Sequence, residues 1–424
     1  MAGLAAATSL AERGARVLLL EARPTLGGRT STFTDPATGE RVDNGQHVLF
    51  GCYAHSFGLL RRIGTAAKVR LQPRLSVGMI DPAGIASTLT CPALPPPLHL
   101  AAGVWRWPAV GWRDRLAALR MAGAIGDIRG GETVRAWLLR HRQTARLIEL
   151  LWEPLAVAAL NQSIDAAAAA PFARVLKDLF GAGARDAALA VPAAPLDELF
   201  AQPAKAYIES RGGAVRTNSP ATIGCGGGLH GSRVTVRGEP IDAAAVICAV
   251  PWHALPDVIE EPSPLLSKIL ADAKATEPSA IVSVNLWLDR DIAGAGVIGL
   301  PGRTMQWLFD RRKLVGDAVS HVSLVSSGAS AIVNQSNDEL VTLALGELRD
   351  AVPRAREATL RRAVVVREKR ASFSVAPGQP PRPATTTDVN GLVLAGDWID
   401  TGLPATIEGA ALSGHAAADA SMHR

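Results

Sequence analysis

Cysteine is scarce in this chain, and its placement excludes two classes of protein. Cys52, Cys91, Cys225 and Cys248 are scattered and form no Cys-x-x-Cys pair. Neither a disulfide-stapled scaffold nor a thiolate metal site is indicated, and no metal is expected. A reducing cytoplasm suits that usage. Long apolar runs are also missing: nothing approaches the about 18 uninterrupted residues of a spanning helix. The opening MAGLAAATSLA has no basic segment ahead of it and runs straight into AERGAR, which reads as a helix and not a secretory leader. Net charge is +5 with a pI near 9.3, but the arginines are spread out. No basic block marks a nucleic-acid surface, while mild attraction to anionic lipid is compatible with the balance. Tyrosine is nearly absent, with two residues.

What remains is a 424-residue chain able to bury a large core, most simply as two domains, with no internal repeat and no long linker. The most informative stretch is Gly391 to Ala418. Leu392 to Ala395 form an apolar run between glycines, a buried strand that stops at Gly396. Asp397 then stands at the carboxyl end of that strand, where open α/β sheets bind ligands and a carboxylate accepts hydrogen bonds from a polyol. Past Pro404, Gly409, Ala410, Ser413 and Gly414 recur at helical spacing and leave almost no side chain on one face, room for something flat. The positive end of that helix, near Ala405 and Thr406, favours negative charge.

At the other terminus, Gly3 to Arg13 read as a small-residue helix and Val17 to Leu20 as a buried strand ending in Glu21. An acidic residue there, about 20 residues after a glycine-rich turn, is where a dinucleotide fold holds a ribose. Gly3 fits the third glycine of such a turn. The first two, and the strand before them, have no counterpart after Met1. Two expectations follow: either the start lies further upstream, which we favour, or the sheet lacks its central strand and the phosphate cradle with it. Next, in EARPTLGGRT, the pair Gly27 and Gly28 lets backbone approach a phosphate and Arg29 adds a fork of donors.

With these residues the chain resembles the flavin amine oxidase and phytoene desaturase superfamily. The resemblance implies FAD, lined by Glu21, Ala22, Arg23, Gly27, Gly28 and Arg29. It continues in VDNGQHVLFGCY, where Asp43, Gly45, Gln46 and His47 match the loop that passes under the flavin, and in AVPWHAL after the strand Ala244 to Val250. Relatives contact adenine through the strand that begins here at Ala221. LWEPLAVAALN, VPAAPLDELFAQPAKAYIESRGGAV, MQWLFDR and RPATTTDVNGLVLAGDWIDTGLPATIEGA are similar to the hydroxysqualene dehydroxylase branch. The match spans nearly the whole chain.

The implied fold class is α/β: a Rossmann-like FAD-binding domain, short of its first strand and most of its glycine-rich turn, with an inserted α+β substrate domain. The boundaries read as 1–70, 203–255 and 385–424 for the cofactor domain, and 71–202 with 256–384 for the substrate domain. In the latter, Leu71 to Thr90 suggest short strands and Leu150 to Phe180 a largely helical apolar layer. From Pro278, AIVSVNLWLDR, TMQWLFDRR and AVSHVSLVSSG alternate as half-buried strands; a helix Asn337 to Ala351 and a strand Ala363 to Ser372 follow. Trp105, Trp107 and Trp112, interleaved with Arg106, Arg113 and Arg115, form a candidate membrane-surface patch, which would make the protein peripheral on the inner membrane face.

The implied reaction removes the hydroxyl of a hydrophobic C30 isoprenoid, hydroxysqualene, and puts hydride from reduced flavin in its place; the electron donor is unassigned. The leaving hydroxyl needs a proton, and a carboxylic acid kept neutral in an apolar pocket suits that role. Candidates are Glu408, which we favour for its place in the flavin-facing helix, with Asp400, Glu153 and His47. Three alternatives stand beside this reading. A carotenoid or phytoene desaturase runs the same cofactor in the oxidising sense. An amine oxidase usually guides its substrate between aromatic faces, which two tyrosines serve poorly. A truncated, flavin-free lipid-binding protein would be colourless.

Overall fold

The computed structural model describes residues 1–422 except 182, 226–231, 293, 295, 318 and 319; Ala318 and Val319, the start of one expected strand, lie outside the described residues. Two parallel strand pairs form the floor of the cofactor end. Leu18–Leu20 pairs with Ala214–Arg216, and Val246–Cys248 with Leu392–Leu394. The two pairs are separate sheets. A four-stranded sheet, with Ala221–Cys225 between Ser232–Val236 and Ile259–Glu260, lies against the same region.

The small-residue face of the C-terminal helix, Ile407–Met422, is used differently from expectation. A Cβ on Gly414 would lie 2.3 Å from the Ala2 carbonyl oxygen and 2.9 Å from Ala5 Cβ. The stripe therefore admits the N-terminal helix Ala2–Glu12, itself almost all buried alanine, and not a flat ligand. Two helices with small facing residues approach closely enough for backbone contact. The helix reaches the cavity described below at its two ends, through Ile407 and Ala410 and through Ser421 and Met422.

The larger sheet has seven strands, in the order Leu360–Phe373, Pro278–Leu288, Ser320–Ser327, Trp307–Asp310, Val297–Gly299, Ser76–Ile80, Ala86–Thr90. Alternation in the sequence suggests half-buried strands, yet Pro278–Leu288 and Ser320–Ser327 are buried on both faces. One face, through Val282, Val284 and Leu286, packs on Leu340, Ala344 and Leu348 of helix Asn337–Ala351. That helix starts with a reciprocal Ser336 and Glu339 cap. The opposite face, with Ile281 and Ser283, turns to the cavity. Polar residues on this second face gave the sequence its alternation; Ser283 and Ser327 line the cavity, while Asn285 and His321 are buried in contact with each other at 3.1 Å.

Across the cavity from that sheet lies the helical layer, Val134–Arg140, Ala145–Leu147, a wide turn at Ile148–Trp152, then Glu153–Leu160 and Ala169–Phe180. Its buried face carries Trp137, Trp152 and Phe172. Asn161 ends the central helix in a left-handed conformation, φ 52°. Its side chain then ties layer to sheet: Nδ2 donates to the Ser279 carbonyl at 3.2 Å and to Ser372 Oγ at 2.9 Å, and Oδ1 accepts from Gly328 N–H at 2.8 Å. The helical segments Asp197–Ala201 and Gln202–Glu209 run on without a break, through the boundary expected at 202/203. Strand Leu189–Pro192 sits between Leu49–Phe50 and Val69–Leu71. The two regions therefore share a sheet.

Of the three tryptophans read as a surface patch, Trp105 and Trp112 are exposed and Trp107 is not. Trp107 is 1% exposed, with Nε1 donating to Ser87 Oγ at 3.1 Å. It follows the end of helix Leu98–Arg106 in extended backbone. Leu98 and Trp105 share that helix's outer face, and Trp112, Leu116 and Leu119 recur at helical spacing on the outer face of Trp112–Leu119.

Candidate active site

One cavity of about 2070 Å³ runs from the strand pairs to the seven-stranded sheet. That is larger than the about 300–1,000 Å³ of an ordinary ligand pocket, and leaves room for a dinucleotide and a long substrate together. Gly3, Glu21, Ala22, Arg23, Gly27, Gly28, Arg29, Gly45, Gln46, His47, Ala221, Gly396, Asp397, Ala405 and Thr406 all line it. The structure thus brings these fifteen residues together from five separate stretches of chain, whereas Gly409, Ser413 and Gly414 of the small-residue stripe do not line the cavity.

Local folding explains how they converge. Glu21 follows strand Leu18–Leu20, and its Oε1 accepts from Arg23 N–H at 2.9 Å. Gly27 and Gly28 have φ of 99° and 58°, left-handed values that favour glycine, and start the short turn Gly28–Thr30. That turn aims Arg29 across the cavity. Arg29 Nη2 donates to Asp397 Oδ1 at 2.7 Å, and Nη1 to the Ala371 carbonyl. Burial works against the Arg29 charge, but Asp397 and Glu368 hold its pKa above the usual value. Gly396 precedes this aspartate, and its N–H donates to Ser413 Oγ at 3.0 Å; a Cβ there would strike the Trp398 ring at 2.5 Å.

The loop Asn44 to His47 is anchored from behind by Asp43. Asp43 Oδ1 accepts from Thr32 Oγ1 at 2.6 Å and Leu196 N–H at 3.0 Å, and Oδ2 from Arg311 Nη1 at 2.6 Å. Arg311 is 1% exposed. Its guanidinium also meets Asp317, which His321 contacts at 3.0 Å. So a buried ionic cluster fixes the loop's base. At its tip, Gln46 Nε2 and His47 Nδ1 are buried without hydrogen-bond partners. Buried polar atoms are normally satisfied, so these two orphans, facing a cavity lined by glycine backbone and Arg29, suit a polar ring system such as a flavin.

The apolar end is walled by Phe50, Ala158, Ala159, Ile281, Val297, Phe309 and Val325. Sequence reasoning missed two polar points in it. Ser283 and Trp307 line the cavity, and their Oγ and Nε1 atoms are buried with no hydrogen-bond partner. Their only signal was a serine and an indole at one strand position each.

The four candidate proton donors separate sharply. Glu408 does not line the cavity; its Oε1 accepts from His55 N–H at 2.9 Å, and Oε2 from Ser56 N–H at 2.8 Å and Ser56 Oγ at 2.7 Å. It caps helix Ala54–Arg62, whose first N–H groups have no helical acceptor. Asp400 is 62% exposed and pairs with Arg382. Glu153 is half-buried beside Arg135; burial raises its carboxyl pKa, but it is not among the residues that line the cavity. His47 alone of the four reaches the cavity. Burial lowers its pKa, so the ring is neutral at neutral pH.

Comparison with known proteins agrees with this architecture. Flavin containing amine oxidoreductase matches residues 1–421. The chain is 30% identical to hydroxysqualene dehydroxylase of Rhodopseudomonas palustris over 99% of this chain and 96% of that protein. It is 26% identical to the hydroxysqualene dehydroxylase of Zymomonas mobilis, covering 100% of this chain and 97% of the other. Among solved structures, an oxidoreductase from Methanosarcina mazei superposes with a TM-score of 0.75 at 17% identity, covering 100% and 98% of the two chains. That last likeness is one of fold. Carrying a match over its whole described length, and a cavity that gathers the residues expected of a flavin site, the chain belongs to the flavin containing amine oxidoreductases and, within them, groups with the hydroxysqualene dehydroxylases.

Proposed function

We propose that this protein is an FAD-dependent hydroxysqualene dehydroxylase, converting an allylic C30 alcohol to squalene in isoprenoid biosynthesis. The observation that carries the reading is the pair of unpartnered donors, Ser283 Oγ and Trp307 Nε1, on residues set among the apolar lining of the same cavity that holds Arg29 and Asp397. A pure hydrocarbon would leave both unsatisfied, at a cost of about 1–3 kcal/mol each. An oxygen-bearing group beside either one satisfies it. This favours an oxygenated substrate over a polyene to be desaturated.

The net reaction takes ROH, a proton and a hydride to RH and water. Bound in its reduced state, the cofactor supplies the hydride. The chain's own part is to hold and orient. Glu21 would accept from a ribose, while Arg29 and the Gly27–Gly28 backbone, which line the cavity, would hold a pyrophosphate. Gln46 and His47 would meet the ring, and the apolar wall would exclude water from an ionising C–O bond. Ser283 and Trp307 hold the hydroxyl as it takes up its proton. Neutral His47 serves as a hydrogen-bonding group rather than a stored acid. The division into cofactor and substrate regions follows the two ends of the cavity.

No helix among the described residues is long and apolar enough to cross a membrane. A surface seat suits a C30 substrate better. Exposed Leu98, Trp105, Trp112, Leu116 and Leu119, with Arg106, Arg113 and Arg120 around them, form an apolar face rimmed by cations, the pattern of a helix pair resting on anionic lipid.

The test is anaerobic: photoreduced protein with hydroxysqualene, and oxidised protein with phytoene, each followed by mass spectrometry. Loss of oxygen to give squalene in the first mixture is expected. Desaturation in the second with no product in the first overturns the proposal.

A further inference from the structure

A second cavity, of about 680 Å³, shares no lining residue with the first. That is the size of an ordinary ligand pocket. One wall is helix Pro264–Ala275, whose Leu265, Ile269 and Ala273 recur every fourth residue and so share a face. Exposure along that stripe falls from 45% to 9% to 5%, so the cavity deepens from a rim at Leu265 to a floor. The floor is aromatic. Trp252, Phe373 and Trp398 are all buried, and the Trp252 and Phe373 rings meet edge to face with centroids 6.2 Å apart. Pro380, Pro381 and Pro383 add to the lining.

Charge in this cavity is unbalanced. Lys268 and Asp272 stand one turn apart on the helix and neutralise each other at 2.6 Å. That leaves Arg382, whose guanidinium carbon lies 5.4 Å over the Phe373 ring. Its Nη1 donates to the Leu403 carbonyl at 2.6 Å and its Nη2 to Asp400 Oδ1 at 3.1 Å. A guanidinium has five N–H donors, so most stay unused. Asp400 is 62% exposed and does not line the cavity, a weak match in water. Burial pushes Arg382 below its usual pKa, and Asp400 with Asp397 offset that only in part. Arg29 meets burial as well, yet its carboxylates carry it above the usual value. An anion beside Arg382 supplies what Arg29 already has. The aromatic and proline walls suit an apolar chain attached to that anion.

The wall between the two cavities is one residue thick at several points. Pro251 and His253 line the first cavity and Trp252 the second; the same alternation separates Ser372 from Phe373, Asp397 from Trp398 and Ala405 from Pro404. Trp398 Nε1 donates to the carbonyl of Val250 at 3.0 Å, and Val250 lines the first cavity. We propose that the second cavity binds an amphiphilic anion, with its head on Arg382 and its apolar chain on Trp252, Phe373 and Ile269, and that the shared wall transmits its presence to the cofactor end at Asp397. The site is regulatory in kind, since a ligand there meets no reacting atom. It stands whatever the substrate of the first cavity is.

Calorimetric titration of the flavin-loaded protein tests it with three chains of one length, dodecyl phosphate, dodecanoate and uncharged dodecanol, each kept below micelle formation. Saturable binding of either anion, about ten-fold or more tighter than dodecanol, is expected, and the arm that binds tells a phosphate head from a carboxylate. Arg382→Gln should weaken the anions by about ten-fold or more and leave dodecanol unchanged. Should that variant unfold, Ala170→Trp fills the cavity from an exposed position at the start of helix Ala169–Phe180 and should weaken all three. Absorbance of the bound flavin should shift during the anion titration of the parent and stay still in Ala170→Trp. Equal affinity for anions and alcohol overturns the proposal. So does anion binding that neither substitution weakens, which places the ligand in the first cavity or on the face of Trp105 and Trp112. A flavin blind to a bound anion overturns transmission through the wall. None of these measurements requires turnover, so failure here is separable from failure of the proposed reaction.

Discussion

Replacing Glu408 by glutamine separates its two meanings. If the side chain were the acid that protonates the leaving hydroxyl, Glu408→Gln would abolish the first turnover and leave the fold alone. The structure implies the reverse. Both carboxylate oxygens accept hydrogen bonds, three in all, from His55 N–H, Ser56 N–H and Ser56 Oγ. Glutamine keeps the shape but presents an N–H₂ to one set of donors, so at least one charge-assisted bond is lost, about 1.5–3 kcal/mol. Loss of negative charge at the start of helix Ala54–Arg62 adds about 0.3–1 kcal/mol.

The sum is about 2–4 kcal/mol of stability. Urea unfolding followed by tryptophan fluorescence measures it, and the rate of a single anaerobic turnover of reduced protein measures the chemistry. We expect a lower unfolding midpoint, unchanged flavin content and a first-turnover rate within about two-fold of the parent. Glu408→Ala, which removes every acceptor, should unfold still more easily. A variant as stable as the parent, with a first turnover slowed by about ten-fold or more, would refute the reasoning and return Glu408 to the role of acid.

Four further outcomes follow from the same structure. Gly414→Val should cost about 1–3 kcal/mol or more by prising the terminal helices apart, whereas Gly58→Ala, in a helix with open space, should gain about 0.4–1 kcal/mol; thermal unfolding compares them. His415 is pushed down to about 4 from 6.5 by burial, by Arg62 and by His55; Arg62 Nη1 donates to its Nε2 at 3.0 Å, which needs the neutral ring. Because the unfolded chain protonates first, stability falls by about 1–2 kcal/mol, discounted for a half-buried ring, as pH drops from 6.5 to 4, and His415→Gln should flatten that slope in urea titrations. Ser283→Ala with Trp307→Phe should raise KM for the alcohol by about ten-fold while leaving bound flavin unchanged, read from steady-state kinetics and absorbance. Trp105→Ser with Trp112→Ser should release the protein from phosphatidylglycerol vesicles in flotation, and Trp107→Phe should not, since that indole is buried.

Much of the cofactor end was legible because its chemistry demands particular residue types. A glycine pair at left-handed φ, an acidic residue closing a strand and an arginine that crosses to an aspartate leave marks that survive in one dimension. Helix Asn337–Ala351 is local in the same way, its reciprocal Ser336 and Glu339 cap lying within four residues. Glu408 and the stripe through Gly414 were misread for the opposite reason. An acid near a helix start and a row of small residues are ambiguous locally; what decides them are Ser56, 352 positions away, and Ala2 at the far end of the chain.

Ser283 and Trp307 show where such legibility stops. A serine in a strand reads as polar, and polar reads as outward. Here helix Asn337–Ala351 covers the other face, so the polar side looks into an enclosed cavity instead of water. Whether the atom then finds a partner depends on what three separate layers leave next to it. The feature that most favours an alcohol over a hydrocarbon is thus a property of the packing, not of any motif. Relatives could share every cofactor-end residue and still differ in substrate through one or two donors in this wall.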